Sequence, residues 1–410
     1  MKNLISGLIL VLVLISTDLR SQNLFSNLKS PLKRADRLFE EFAYASAIDL
    51  YLQVLNRDKS NDQVKLKIAE SYRMLNQTKE AEIWYEKVMT SSITQPIHKF
   101  YYAQMLVSNG KYEEGRKWFE EYKRQVSHSE LANNMIEALL SINSFYEDSL
   151  TYPVKELKIN TPHADFSPVY YEDGILFVSG RTKNVFVKAL NTWDNSTFLD
   201  LYYSKMNAEG GLGNPVKLKG KINSPLHEGP ATIYNNGNSI IFTRNAVTKF
   251  DIKNNKDSLK DVNRLMLFSA TKNKKNKWEH ITPMPFNNMA YSVGHPSITS
   301  DGRTLYFASD MPGGYGGVDL YVSYYVDSVW SEPKNLGPSI NTAGNEVFPF
   351  IYKDTVLYFS SNGHGGLGGL DVFCSIINNN TAGKVKNIGY PINSSLDDFG
   401  IIIADDGRSG

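Results

Sequence analysis

Leu305-Tyr-Phe-Ala-Ser-Asp310, followed by Gly313-Gly-Tyr-Gly-Gly-Val-Asp-Leu-Tyr321, returns 52 residues later as Leu357-Tyr-Phe-Ser-Ser-Asn362 followed by Gly365-Gly-Leu-Gly-Gly-Leu-Asp-Val-Phe373. Each copy reads as an apolar strand, a glycine-rich connection and a second strand opened by an aspartate. Gly313, Gly314, Gly316 and Gly317, and likewise Gly365, Gly366, Gly368 and Gly369, allow a compact loop that few other residues could follow. Asp319 and Asp371 are expected to accept backbone N–H bonds where the next strand starts. Each unit opens with one more strand, Gly294–Ile298 or Glu346–Ile351. Two more divergent units precede them, Asp165–Arg181 with Asp200–Ser204 and Glu228–Arg244 with Arg264–Ser269. Their hairpins are expected to turn on Asp173-Gly174, Asn236-Gly237 and, in the third unit, Asp301-Gly302. A fourth strand follows, marked by Trp278, by Trp330 or by Asn214–Leu218. Four strands in roughly 50–65 residues make one blade of a β-propeller. The sequence therefore predicts four blades over 160–410, and a fifth that opens at Asp398 and is incomplete at Gly410. Polar insertions at 182–199 and 246–262 read as loops or lids on one face.

Upstream the period changes. Ala35, Ala69 and Ala103 stand 34 residues apart, as do Ala47, Ala81 and Gly115, and Tyr51, Tyr85 and Phe119. Small residues let paired helices approach, and the aromatic fills the gap to the next pair. Helices are predicted over 31–42, 45–57, 61–75, 78–90, 96–108 and 112–125, with a capping helix over 129–146. Asn76 and Gly110 occupy the turns, where left-handed geometry is needed. Phe42 stands there in the first repeat, a departure from the pattern. The fold class is therefore multidomain, an all-α solenoid over 31–146 followed by an all-β propeller.

The 34-residue columns resemble the tetratricopeptide repeat family. The glycine-loop phrases resemble the PD40 (WD40-like) propeller repeats of bacterial periplasmic proteins. In the first family the groove is lined by the first helix of each pair. Carried onto this chain, the resemblance implies Asp36, Glu40, Glu70, Arg73 and Gln104 as groove residues holding a protein segment. The plainer reading of those five is a solvated helix face. It carries both charge signs, so the charge of a ligand is left open. The order of the two repeat types resembles the N-terminal part of Bacteroidota envelope proteins. That resemblance implies an OmpA-like, peptidoglycan-binding domain further on, absent from this sequence, and in some members a link to type IX secretion and gliding.

Met1-Lys-Asn3 precedes the twelve-residue apolar run Leu4–Ile15, then Ser16, Thr17, Asp18 and Arg20. A membrane-spanning helix needs about 20 apolar residues, so residues 1–21 read as a signal peptide. No other stretch approaches spanning length. The protein is expected in the periplasm or on the periplasmic face of the outer membrane.

With 44 Lys plus Arg against 43 Asp plus Glu, the net charge is +1, and no global basic field points to nucleic acid. The single Cys374 excludes an intramolecular disulfide framework and a cysteine-based zinc site. No Gly-x-Ser-x-Gly elbow, phosphate loop or His-Glu-x-x-His motif occurs. The seven histidines lack metal-ligand spacing. The glycine runs lead into strands instead of a helix N-terminus, which argues against phosphate binding. No catalytic residue, metal or cofactor is therefore expected. The chain is expected to be a non-enzymatic scaffold for protein partners in envelope assembly. The alternative is a propeller hydrolase or lyase for glycans or peptides, with its site in the central channel.

Overall fold

The computed structural model describes residues 30–181, 191, 193–246, 264–378 and 381–410. The expected signal peptide, most of the 182–199 insertion and nearly all of the 246–262 insertion lie outside the described residues. Among the described residues seven helices come first: α1 (Pro31–Glu40), α2 (Tyr44–Leu55), α3 (Asp62–Met74), α4 (Thr78–Glu86), α5 (Pro96–Ser108), α6 (Tyr112–Gln125) and α7 (Glu130–Leu140). A 3-10 turn over Ile142–Tyr146 replaces the last third of the expected capping helix. Three helices begin where a side chain can serve an unpaired N–H. Ser30 accepts from Lys33, Asn61 from Val64 and Ser129 from Ala132.

All nine residues of the 34-residue columns lie in these helices, and the alanines and aromatics have no exposed surface. A Cβ on Gly115 would stand 2.7 Å from Val107 Cγ2, so the pair α5–α6 needs glycine there. The turns within pairs share one geometry. Phe42, Asn76 and Gly110 take φ of 59°, 55° and 75°. The next residue's N–H reaches back over the end of the helix: Ala43 to Leu38 O, Gln77 to Tyr72 O and Lys111 to Leu106 O, at 2.8–2.9 Å. The first repeat thus keeps the turn although a phenylalanine occupies it.

The chain divides into two units. The first holds α1–α4 and residues 193–195. Its core is Ala35, Ala47, Tyr51, Leu55, Val64 and Ile68. The second holds α5–α7 and every strand.

In the second unit four antiparallel sheets form a four-bladed β-propeller. Blade 1 runs β1 (Asp165–Tyr171), β2 (Gly174–Ser179), β3 (Asp200–Lys205), β4 (Val216–Lys217). Blade 2 runs β5 (Glu228–Tyr234), β6 (Ser239–Ala246), β7 (Arg264–Lys272), β8 (Trp278–Pro283). Blade 3 runs β9 (Val293–Ile298), β10 (Thr304–Ser309), β11 (Asp319–Val326), with β12 (Val329–Trp330) and β13 (Lys334–Asn335) sharing the outer place. Blade 4 runs β14 (Glu346–Tyr352), β15 (Val356–Ser361), β16 (Asp371–Asn378), with β17 (Thr381–Ala382) and β18 (Lys386–Asn387) outermost.

Alternation along the middle strands supplies both faces of each blade. In β6, Ile240 and Phe242 pack with Leu176 and Val178 of blade 1, while Ile241 packs with Leu305 and Phe307 of blade 3. In β10, Tyr306 and Ala308 face Leu357 and Phe359 of blade 4. Sheets buried on both faces explain the near-continuous apolar runs that announced them.

Two sequence expectations change. In the first hairpin Tyr171 pairs with Gly174, so the turn is Glu172-Asp173 and the positive φ, 50°, falls on Glu172. Gly174 serves packing instead: a Cβ would lie 2.1 Å from Ser204 O. The fifth unit forms no sheet among the described residues. Its opening segment, 398–402, lies against the innermost strands of blades 4 and 1. Phe399 stacks on Phe348 at 4.6 Å and meets Phe166 edge-on at 5.9 Å.

Candidate functional site

The expected groove residues divide between the units. In the first, Asp36 accepts a 2.9 Å bond from the Tyr51 hydroxyl and is committed to the helix pair. Burial and this carboxylate push the Tyr51 hydroxyl upward. Glu40 is exposed, and Glu70 lies 3.5 Å from Lys67, whose ammonium also caps the Phe39 ring at 3.9 Å. Arg73 is half-buried. Gln104, on α5, belongs to the second unit. Trp193 was missed by sequence reasoning. It packs against Phe42 and Tyr44, and its indole N–H donates to Met74 O at 3.2 Å.

The two glycine loops share one design. Asp319 accepts from Tyr315 N and Gly316 N, and Asp371 from Leu367 N and Gly368 N, at 2.6–3.1 Å. The carboxylates thus hold the loop before them, not the start of the strand after them, which corrects the sequence expectation. The glycines also divide by role. Of the eight, only Gly313 and Gly365 take a left-handed φ. The other six are required for space. At Gly314 and Gly366 the Cβ position lies 2.5 and 2.4 Å from Asp319 Oδ2 and Asp371 Oδ2, so a side chain there would displace the carboxylate that holds the loop. Gly316 and Gly368 have no room because the carbonyls of Gly344 and Leu396 stand 2.3 and 2.1 Å from the Cβ position. Gly317 abuts Asn345 Oδ1, and Gly369 abuts Asp397 Oδ1. Burial pushes the Asp371 carboxyl up to about 7.

Each third strand is also held by a buried or half-buried asparagine that sequence reasoning did not single out. Asn223, Asn287, Asn341 and Asn393 each accept from and donate to one residue's backbone, in turn Leu201, Leu267, Leu320 and Val372. The signal was an Asn recurring five or six residues ahead of Glu228, Val293, Glu346 and Asp398. Near these strand starts, Ser or Thr binds an acidic residue four positions on: Thr161 with Asp165, Ser224 with Glu228, Thr342 with Glu346 and Ser394 with Asp398. In blades 1 and 2 arginine completes the set, Arg181 on Asp165 at 2.6 Å and Arg244 on Glu228 at 2.8 Å. Burial pushes the Asp165 carboxyl up, but bonds from Arg181, Ser179 and Thr161 outweigh it and hold it low. Burial raises both Glu228, despite Arg244, and Glu346, which has no arginine.

The innermost strands enclose a cavity of about 150 Å³. Ser167, His295 and Phe348 line it, each at positive φ before a proline and each at a break in strand register; Gly400 repeats the angle at 74°. Non-glycine residues in this region store strain of about 1–3 kcal/mol each. The His295 ring stacks on Phe348 at 4.0 Å, and its Nδ1 accepts from Phe348 N at 3.4 Å. Burial pulls this imidazole down to about 4, so it is neutral at physiological pH. The rest of the lining is proline, aliphatic, phenylalanine, glycine and hydroxyl side chains. The Ser167 hydroxyl is buried without a hydrogen-bond partner among the described residues, a place suited to water. A second hollow of about 390 Å³ lies between blade 1 and 397–400, lined by Asp165, Asp397 and Asp398 among apolar neighbours. Burial pushes Asp398 up to about 6. Among the described residues no group of three ligating side chains could hold a metal. None of their helices is long and apolar enough to cross a membrane.

No protein-family model and no curated protein matches the chain. Solved structures of similar fold include a puromycin-hydrolyzing peptidase of Mycobacterium tuberculosis, at 11% identity and TM-score 0.32, covering 59% of this chain and 33% of that one. A protein of unknown function from Dyadobacter fermentans gives 15% and 0.36, covering 60% and 70%. Prolyl oligopeptidase B of Galerina marginata gives 7% and 0.28, covering 55% and 29%. The chain therefore spans about a third of the two peptidases. These likenesses concern the fold alone. Peptidases, and the sialidase of Trypanosoma rangeli, stand among these structures, which runs against the expectation that the chain is not an enzyme.

Proposed function

We propose that this is an exported envelope protein whose helices form a tetratricopeptide-type solenoid and hold a segment of a protein partner. The observation that carries the reading is the set of 34-residue columns. Small residues at the crossings and aromatics between pairs are buried along all three repeats, as this type of solenoid requires. Such packing leaves the first helix of each pair with a charged, accessible face. Glu40, Glu70 and Arg73 lie on it in the first unit. The propeller supplies a second surface, with a mainly apolar cavity between its innermost strands. The order of helices and propeller supports a place among Bacteroidota envelope proteins with an OmpA-like domain, and a role near type IX secretion or gliding. Residues 1–21 support export to the periplasm or the periplasmic face of the outer membrane.

The test is crosslinked recovery of partners from native envelopes by tagged wild type and by a Glu40→Lys, Glu70→Lys variant. The expected result is loss of about tenfold in the recovered partner, with helical circular dichroism unchanged. Equal recovery by both proteins would overturn the groove. Fusion of residues 1–30 to alkaline phosphatase tests export separately, and an inactive fusion would overturn the location.

A further inference from the structure

The two glycine loops have the same internal bonds and opposite surroundings. In blade 4 the loop is covered by α7. Asn134 Nδ2 donates to Gly363 O at 2.8 Å. The Cβ position of Gly365, at φ 77°, lies 2.4 Å from Asn134 O and 3.0 Å from Ala138 Cβ. Leu367, at the centre of the loop, has no exposed surface. A helix thus seats here by laying an Asn, and a small residue one turn later, over a glycine at positive φ.

In blade 3 no helix covers the corresponding loop among the described residues, and 312–317 are exposed. Gly313, at φ 92°, is the counterpart of Gly365, and no atom lies within 4 Å of its Cβ position. Tyr315 is the counterpart of the buried Leu367 and is 52% exposed. Met311 O, the counterpart of Gly363 O, takes a long 3.4 Å contact from the Tyr321 hydroxyl. Blade 4 has Phe373 at that place, so there the carbonyl turns to Asn134. A carbonyl oxygen has two lone pairs, so Met311 O keeps capacity for an outside donor.

We propose that the blade 3 loop, Met311–Gly317, is a second helix seat, filled by a helix of a partner protein that carries Asn or Gln followed four residues later by Gly, Ala or Ser. The occupant's chemistry is read from the internal copy. The polar amide answers the remaining lone pair of Met311 O, and the small residue lets the helix backbone reach Gly313. Tyr315 replaces Leu367 as the apolar floor and adds a hydroxyl at its rim. This inference rests on the loops alone and stands apart from the groove on the first helices.

The probe is a stapled helical peptide of residues 129–142, which carries Asn134 and Ala138 in the required register. It is titrated by fluorescence anisotropy against the full chain, and its site is mapped with a photoreactive group. The expected result is saturable binding, crosslinks to 311–317, and weakening of about tenfold by Tyr315→Glu in the protein or Ala138→Trp in the peptide. Tyr315 is exposed, so its variant keeps the fold. Absence of binding up to about 1 mM, indifference to both substitutions, or crosslinks only to 363–369 would overturn the proposal. Self-association of the chain that Tyr315→Glu abolishes would overturn it too, by making a second copy the occupant.

Discussion

The glycine pair offers a controlled perturbation, because Gly365→Ala and Gly313→Ala impose the same chemistry in two surroundings. Both glycines have positive φ, 77° and 92°. A Cβ there costs about 1–2 kcal/mol in either loop. Only at Gly365 does the new carbon meet neighbours, the carbonyl oxygen of Asn134 at 2.4 Å and its carbon at 2.8 Å. Those are backbone atoms, so α7 must move. Movement breaks the bond from Asn134 to Gly363 O, about 1 kcal/mol, and opens the contact with Ala138, about 0.5–1 kcal/mol more. Gly365→Ala should therefore weaken α7 by about 2 kcal/mol beyond what Gly313→Ala does. Hydrogen exchange suits the question better than a melting curve, since a chain of two units need not unfold in one step. Amides of 130–140 should exchange about thirtyfold faster in Gly365→Ala and at the wild-type rate in Gly313→Ala. Equal exchange in the two variants would refute the reasoning, because backbone conformation alone would then explain both glycines.

Other perturbations separate effects that the blades combine. Arg244→Met leaves the fully buried Glu228 carboxylate without its cation and should cost about 3–5 kcal/mol in urea denaturation, whereas Glu346→Gln, which has only hydroxyl and backbone donors, should cost about 1 kcal/mol. Phe42→Gly should be more stable than Phe42→Ala by about 1 kcal/mol, since both lose the ring but only glycine accepts φ of 59° without strain; the reverse order in thermal denaturation would remove the strain. His295 sits near 4 when folded, below its ordinary 6.5, so the unfolded chain takes the proton first. Its contribution is intact above pH 6.5 and lost as pH falls through about 4, at most about 3 kcal/mol. Asp371 and Asp398 are raised and oppose this, being favourable at low pH and losing that advantage as pH rises through about 7 and about 6. The wild type should therefore lose stability relative to His295→Gln between pH 6.5 and 4; parallel curves would refute the buried imidazole.

How much was legible followed from the range of each interaction. Helix starts were legible because caps, small-residue columns and turns act within a few residues, whereas the helices expected over 78–90 and 129–146 end early, at Glu86 and Leu140. The strands were legible because two-sided burial writes apolar runs such as Ile240–Phe242 and Leu305–Ala308. Turn chemistry was read less well. Asp173-Gly174 looks like a hairpin turn, yet the register set by Tyr171 and Gly174 moves the turn one residue back, and close strand approach claims the glycine. In the glycine loops the need for glycine was legible and its cause was not: Gly314 and Gly366 make room for a carboxylate that lies five residues on, a packing demand that spacing alone does not state. Phe42 looked like a break in the pattern, although turn geometry outlasted its preferred residue. The asparagine clamps were visible as repeated letters but carry no local periodicity. Their partners lie about 20 residues away, across a strand. The cavity residues depend on register breaks at Ser167, His295 and Phe348, whose one mark in the sequence is the proline that follows each.

The 34-residue period and the unit boundary answer different physical questions. The period runs unbroken from Ala35 to Phe119, because each helix pair repeats the same internal packing. Yet the described contacts place α5–α7 with the propeller and α1–α4 apart. The cause lies in blade 4. Its glycine loop seats α7, and past it Tyr390 N donates to Phe145 O at 2.7 Å while the Tyr146 and Tyr390 rings pack at 5.1 Å. These contacts join segments far apart in the chain. A repeat pattern reports only what is alike between neighbours. Docking depends on what differs, and here the difference is between a buried leucine in one glycine loop and a tyrosine left in solvent at the same place in the other. Where internal copies share a backbone, an occupied copy therefore states the chemistry that a vacant one is built to accept.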